Sequence, residues 1–330
     1  MNWLRCLLVL SLAIGTLFAA PNAHAITSCS AEMTALNFNS ADPADGTATA
    51  TITYECGSYF APANVAVGLC FAIGHGSGNT ILDRRMSHIE SPGDQVSFQI
   101  YKDPARTLIW GDSASAPSHL STTIEYATFL SFGYHRGTIQ VYGKVSDLSQ
   151  AAAGDYRNNF ADARLTYSYR ESNNPNPPGC DQGNSGTSVT MPFQALVTVP
   201  PSCSVVTASD MSFNPGGMPL SGTRTGNLAS TSTIDLTCTK RTSWQVGLDD
   251  GLHAMAGGTR QMCNPDGACI AYRLNRTSGT NPWGDDIDVN TVEGTSAGTS
   301  QSLTVHGRVD DQPLLQAGRY SDTVKVVLTY

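Results

Sequence analysis

Eight cysteines carry the most regular side-chain chemistry in the sequence: Cys29, Cys56, Cys70 and Cys180 in one half, Cys203, Cys238, Cys263 and Cys269 in the other. An even set in a chain with an export leader points to disulfides rather than to metal or redox work. Zinc would need a C-x-x-C or a cysteine pair followed by paired histidines, and neither occurs. His75, His88, His119, His135, His253 and His306 show no metal spacing and read as surface or turn residues. Asp249-Asp250 and Asp285-Asp286 are carboxylate pairs of the type glycosidases use. Adjacent acids are also common in solvated turns, which is the simpler reading. There is no P-loop. The chain is therefore expected to be no enzyme and to hold no metal or cofactor.

These cysteines must be positioned by something, and the organisation of the chain suggests what. Residues 1–25 read as a signal peptide: Arg5 supplies the positive start, Leu7 to Ala20 the apolar core, and Ala23-His24-Ala25 the cleavage site. Cys6 leaves with it. No other stretch is long and apolar enough to span a bilayer. The formal net charge of −8, or −9 once Arg5 is lost, is no footprint for nucleic acid or anionic lipid. Few residues are charged (14%), and no 3.6-residue periodicity appears. Short runs broken by Gly, Pro, Asn and Asp describe an all-β protein.

The remaining chain is one module written twice. Val141-Tyr142-Gly143-Lys144-Val145 matches Val305-His306-Gly307-Arg308-Val309, and Ala153-Gly154-Asp155-Tyr156 matches Ala317-Gly318-Arg319-Tyr320. Trp110-Gly111-Asp112 matches Trp283-Gly284-Asp285, and Arg85-Met86 echoes Arg260-Gln261-Met262. Each copy opens on a cysteine, Cys29 or Cys203, continues to Phe38 or Phe213, and runs through a Thr-rich strand to a second cysteine. Each reads as a β-sandwich. Expected bounds are 26–170 for the first module, 171–201 for a linker and 202–330 for the second.

Repeat symmetry suggests Cys29–Cys56 and Cys203–Cys238 bridges between neighbouring strands, and Cys263–Cys269 around the turn sequence Asn264-Pro265-Asp266-Gly267. Cys180 lies in the linker, and Cys70 is the cysteine then unassigned in the first module. Four cysteines per module still permit three connectivities.

The linker contains the stretch 187–199. Val189, Met191, Phe193, Ala195, Val197 and Val199 alternate with mostly polar residues, which marks a strand with one buried face. Pro192 suits an edge strand. This strand is expected to fold back beside Ala163–Tyr169 and complete the first module's sheet; the alternative is a free linker. The second module closes on Val324, Val326, Leu328 and Tyr330, which share a face. It has no equivalent strand after them and must borrow one.

The order Cys, Phe, Thr-rich strand to Cys, Arg-x-Met, Trp-Gly-Asp, Val-Tyr/His-Gly-Lys/Arg-Val, Ala-Gly-x-Tyr resembles the spore coat protein U domain. That domain builds subunits of archaic (Csu-type) chaperone–usher pili. The resemblance spans both modules and is most specific at Gln316–Tyr330. The first module departs from it, with longer loops and Arg157–Ala161 standing between Tyr156 and Asp162.

The resemblance implies immunoglobulin-like sandwiches, the C-terminal one lacking its last strand. A periplasmic pilus chaperone lends that strand first, and an adjacent pilin's N-terminal donor strand replaces it at the outer-membrane usher, by β-strand addition. The groove edge would be Val324, Val326, Leu328 and Tyr330. Only Ile26, Thr27 and Ser28 precede Cys29 after cleavage, too few for a donor strand. The expectation is a two-domain adhesin at a pilus tip on the surface of a Gram-negative bacterium, binding a host or abiotic surface and no nucleic acid. A shaft or coat subunit without surface binding is the alternative. An extracellular hydrolase is a third reading, without a catalytic constellation to support it.

The binding residues are sought in loops that differ between the modules. Tyr59 and Phe60 follow the first module's second cysteine, Phe129, Leu130 and Phe132 stand where the second module has Gly294–Thr299, and Leu148 opens a third apolar loop. Leu314, Leu315 and Ala317 parallel the third. Phe129, Leu130 and Phe132 could instead form a core strand.

Overall fold

A computed structural model of the chain describes residues 26–38, 46–61, 64–78, 80–113, 117–173, 176–180, 182, 184–185, 188–214, 222–314 and 316–330. The expected signal peptide, Thr187 and Leu315 lie outside these. No helix occurs among the described residues. The chain divides into two compact units. The first comprises residues up to Ser87, Val96–Ser146 and Arg157–Val197; the second comprises His88–Gln95, Asp147–Tyr156 and Thr198–Tyr330. Residues 171–197, expected to be a linker, thus cluster with the first unit.

The larger sheet of the first half runs Ile26–Met33, Thr47–Tyr59, Phe132–Val145, Gln95–Tyr101, Arg84–His88, Gly154–Phe160, Phe193–Val199 and Leu36–Asn37. Its alternating sequences set the faces. In Thr47–Tyr59 the residues Ala48, Ala50, Ile52, Tyr54 and Cys56 turn inward, while the threonines between them face outward or sit half-buried. The smaller sheet orders Asn184–Ser185, Arg164–Ser172, Asn64–Ala72 and Leu120–Tyr126, with Val189–Thr190 also paired to Arg164–Ser172. Asn64–Ala72 is buried along almost its whole length. Its continuous apolar run suits a strand covered on both faces. The linker supplies part of that cover: Ser168 Oγ donates to the Cys180 carbonyl, and Cys70 is bonded to Cys180. Gly68 is required there, because a β-carbon would stand 2.1 Å from the Pro178 carbonyl oxygen.

The second half repeats this plan with fewer strands. One sheet orders Cys203–Ala208, Leu228–Cys238, Gln301–Val309 and Arg273–Asn275; another orders Val292–Thr295, Ser243–Leu248 and Val326–Thr329. Gln261–Cys263 and Cys269–Ala271 form a hairpin. Cys29–Cys56, Cys203–Cys238 and Cys263–Cys269 each join residues directly opposite in an antiparallel pair.

Two buried polar groups tie each sandwich together in the same way. Trp110 Nε1 donates to the Phe71 carbonyl and Trp283 Nε1 to the Val246 carbonyl, both at 2.8 Å. The Trp110 and Trp283 carbonyls accept from Arg84 and Arg260. Burial lowers both guanidinium pKa values, that of Arg84 to about 10. The structural partner of Arg260 is therefore Arg84 and not Arg85, whose side chain pairs with Asp83. Both Ala-Gly-x-Tyr motifs also act alike: each tyrosine hydroxyl donates to the carbonyl four residues upstream, Ala152 or Gln316.

Candidate functional site: a filled groove, an open groove and an apolar tip

Residues 188–199 do not lie along Ala163–Tyr169 as one ribbon. Only Val189–Thr190 pairs there, opposite Leu165 and Arg164, and Met191 N donates to the Ala163 carbonyl. Pro192, which has no donor, marks the break. Phe193–Val199 then crosses to the other sheet, between Gly154–Phe160 and Leu36–Asn37, running parallel to the latter. The switch arises because alternation specifies a buried face and not a partner strand.

Met191, Phe193, Ala195, Val197 and Val199 are all buried in this position, while Val189 is half-buried. The Phe193 ring stacks on Phe160 at 4.5 Å between centroids and nearly parallel to Trp110 at 6.4 Å. Gln194 and Thr198 face outward to Asn159 and Asp155. The structure therefore fills the first module's groove with the chain's own strand.

The matching groove in the second half is open. It has a volume of about 740 Å³ and is lined by Met211, Phe213, Met262, Tyr272, Val324 and Val326 among others. Phe213 meets Tyr272 as Phe38 meets Phe98. One wall is Met211–Phe213, the counterpart of Leu36–Phe38. The other is Gly318–Val324, which holds isolated bridges, Ser321 to Cys263 among them, where the first half has the strand Gly154–Phe160. Among the described residues no strand lies between the two walls. Of the four expected edge residues, Val324 and Val326 line the groove. Leu328 packs against the same core as they do but does not line the groove. Tyr330 lies beyond the strand Val326–Thr329 and is 59% exposed, so it is no part of the groove.

At one end of the first unit the structure gathers Tyr59, Phe60, Phe129, Leu130, Phe132 and Tyr134. Tyr59 and Phe132 meet at 5.2 Å between ring centroids, and Phe132 and Tyr134 at 6.2 Å. Phe129 and Leu130 are 79% and 86% exposed, so they form no core strand. Phe132 is the exposed first residue of its strand. Phe129 and Phe132 exchange two backbone hydrogen bonds across Leu130 and Ser131, which have φ values of 49° and 65°. Phe60 has a φ of 64°. Leu148 does not join them: it is 7% exposed. Its counterpart Leu314 belongs to the second core, so the third loop packs inward in both modules. Pro62 of the first loop lies outside the described residues.

Beneath this tip lies a chain of hydroxyls, Thr27 Oγ1 to Ser58 Oγ at 2.8 Å and Ser58 Oγ to Tyr126 Oη at 2.6 Å. Nearby Glu171 has its pKa raised by burial, against a weaker opposite effect of the Thr27 hydroxyl. Its Oε1 is buried without a hydrogen bond. A carboxyl raised in the folded state binds its proton more tightly there than in the unfolded chain. Stability is then lost as pH rises from the ordinary carboxylate range through the folded value. Glu171→Gln is expected to raise the melting temperature at pH 7, with the gain shrinking toward pH ~4. Thermal melts across that range check it; a gain independent of pH would contradict the cause given.

One ligand-like grouping occurs among the described residues, Cys70, His119 and Cys180. Its two sulfurs are bonded to each other, so it offers no thiolate.

The family model for the Spore Coat Protein U domain matches residues 14–161 and 189–327. The chain belongs to the spore coat protein U domain family. The second family repeat starts at Val189 and so includes the strand Phe193–Val199. In the fold that strand instead serves the first sandwich. No curated protein matches the chain in sequence.

Among solved structures, the chain is similar to a chain of the CsuC–CsuE chaperone–tip adhesion subunit pre-assembly complex from Acinetobacter baumannii. The identity is 14% over 92% of this chain and 100% of that one, with a TM-score of 0.45. It is also similar to the CupB6 tip adhesin from Pseudomonas aeruginosa, at 10% identity over 91% and 94%, TM-score 0.35. The CfaE adhesive subunit of CFA/I fimbria from enterotoxigenic Escherichia coli matches at 8% over 79% and 81%, TM-score 0.33.

Proposed function

We propose that this chain is a chaperone–usher pilus subunit that accepts a partner's strand in its second module and adheres through its first, at the fibre tip. One observation carries the first part: a single groove occurs twice, filled by the chain's own Phe193–Val199 in one module and open in the other. An apolar groove between unpaired strand segments is what β-strand addition requires. The occupant would be a periplasmic chaperone's strand during export and an adjacent pilin's N-terminal segment after passage through the outer-membrane usher. What supports a tip position is where possible donors have gone. Ile26–Met33 is paired along its length with Thr47–Tyr59. The segment that opens the second family repeat is engaged in the first sandwich. A shaft subunit would need one of them free.

The adhesive part rests on the exposed aromatic cluster. Large apolar groups gathered on a surface mark an interaction site. The backbone adds a second reason. Consecutive left-handed residues make the turn that Asn-Gly normally fills, and Leu130 holds one of those positions at a strain of roughly 1–2 kcal/mol. Strain retained at an exposed apolar residue is the signature of a site kept for contact. The surface would be abiotic or a host's, and apolar.

Changing Leu130-Ser131 to Asn-Gly tests this. The turn is expected to gain about 1–2 kcal/mol in denaturant unfolding, while attachment to polystyrene beads is largely lost. A stabilised variant that attaches as well as the native chain would reject the adhesive role.

A further inference from the structure

The second module's groove has a wall with no ladder to hold it, and a strand can only dock if both walls stand the right distance apart. Three described backbone bonds hold Gly318–Val324, two between Ser321 and Cys263 at 3.0 and 3.1 Å and one from Leu252 N to the Thr323 carbonyl at 3.1 Å. What fixes it from within is Asp322. Its Oδ1 accepts from Leu252 N at 3.0 Å and lies 2.9 Å from His253 Nδ1, and its Oδ2 accepts from Tyr272 Oη at 2.7 Å. The Asp322 side chain is 3% exposed. Tyr272 and Asp322 both line the groove.

The first module shows what this carboxylate replaces. Leu165 and Leu328 occupy matching places, opposite Phe71 and Val246, whose carbonyls accept from the two tryptophans. Nine residues separate Tyr156 from Leu165 and eight separate Tyr320 from Leu328. Arg157–Ala161 is therefore no insertion but the continuing strand, longer by one residue. Two residues past the tyrosine stand Asn158 and Asp322. Asn158 is fully buried and bonds the loop after Asn64–Ala72, as Asp322 bonds the loop after Ser243–Leu248: it donates to the His75 carbonyl and accepts from Ser77 N, and it also donates to the Arg85 carbonyl in the strand Arg84–His88. Both modules thus pin one wall to one loop at one position. The closed module does so with a neutral amide; the open one uses a carboxylate with a third donor, Tyr272, reaching across the groove floor, where the first module has Phe98.

We propose that Asp322 is a positioning residue for strand acceptance, holding Gly318–Val324 ready before a partner arrives. This rests on the groove taking a partner's strand, as argued above. A wall held in its bound shape avoids ordering costs on association, so the effect belongs to affinity as well as to stability.

The test uses the full chain and a synthetic peptide of residues 188–199 as the strand. Asp322→Ala is expected to speed hydrogen exchange in residues 318–324 and to weaken peptide binding about tenfold, the equivalent of losing one or two good hydrogen bonds. Asp322→Asn, which copies Asn158, should restore both to within about threefold. If the native chain binds the peptide and the alanine variant binds it equally well, the role of Asp322 is overturned and the groove's function stands. If the native chain does not bind the peptide at all, the strand-accepting reading itself is overturned. Should the alanine variant fail to fold, Tyr272→Phe removes one donor alone: severalfold weaker binding supports the proposal and unchanged binding rejects it.

Discussion

Phe193→Ala is expected to cost the first module about 5 kcal/mol, although Phe193 belongs to the second family repeat. Phenylalanine-to-alanine changes in a core cost about 3–5 kcal/mol. The stacked ring faces of Phe160 and Trp110 place this residue at the upper end, since aromatic pairs add about 0.5–1.5 kcal/mol beyond area. Phe193→Leu keeps most of the volume and should cost clearly less. Hydrogen exchange resolved by segment checks the location. Protection should fall in strands such as Gln95–Tyr101 and Asn64–Ala72 and hold in Ser243–Leu248. Loss confined to the second module would mean that Phe193–Val199 serves the second sandwich instead.

The second prediction supplies the open groove with what the first already has. A copy of residues 188–199, tethered after Tyr330 by a Gly/Ser linker, should raise the melting temperature of the second module by on the order of 10 °C. The gain comes from apolar side chains that leave water for the groove and from backbone hydrogen bonds to its unpaired walls. The same tether carrying aspartate at the Phe193 and Val197 positions should give no increase. An unchanged melting temperature with the native copy would count against the groove as a strand acceptor.

Much of this arrangement is legible in residue patterns. The paired Trp-Gly-Asp and Ala-Gly-x-Tyr motifs announce two copies of one sandwich, and each recurs with the same hydrogen bonds. The alternation from Val189 to Val199 correctly marks a buried face. It could not show which sheet the strand joins, because a two-residue period says nothing of the partner, and the crossing at Pro192 follows from three-dimensional closure. Leu148 and Leu130 illustrate a second limit. Both are leucines in loops, and only the path of the backbone decides that one turns inward and the other outward. Asp322 was out of reach for a third reason. Its partners Leu252, His253 and Tyr272 lie about fifty to seventy residues away, and its meaning emerges only beside Asn158, a match that a one-residue length difference obscures.

The placement of Phe193–Val199 also has a mechanical consequence. Tension passed along the backbone from residue 200 enters the first sandwich at the end of a strand flanked on both sides, with Leu36–Asn37 on one and Gly154–Phe160 on the other. Such a pull loads the hydrogen bonds lengthwise and together, rather than peeling them one by one. Upstream, the bond between Cys180 and Cys70 anchors the same segment covalently. Were the chain to bear such a load, this junction would meet it in shear.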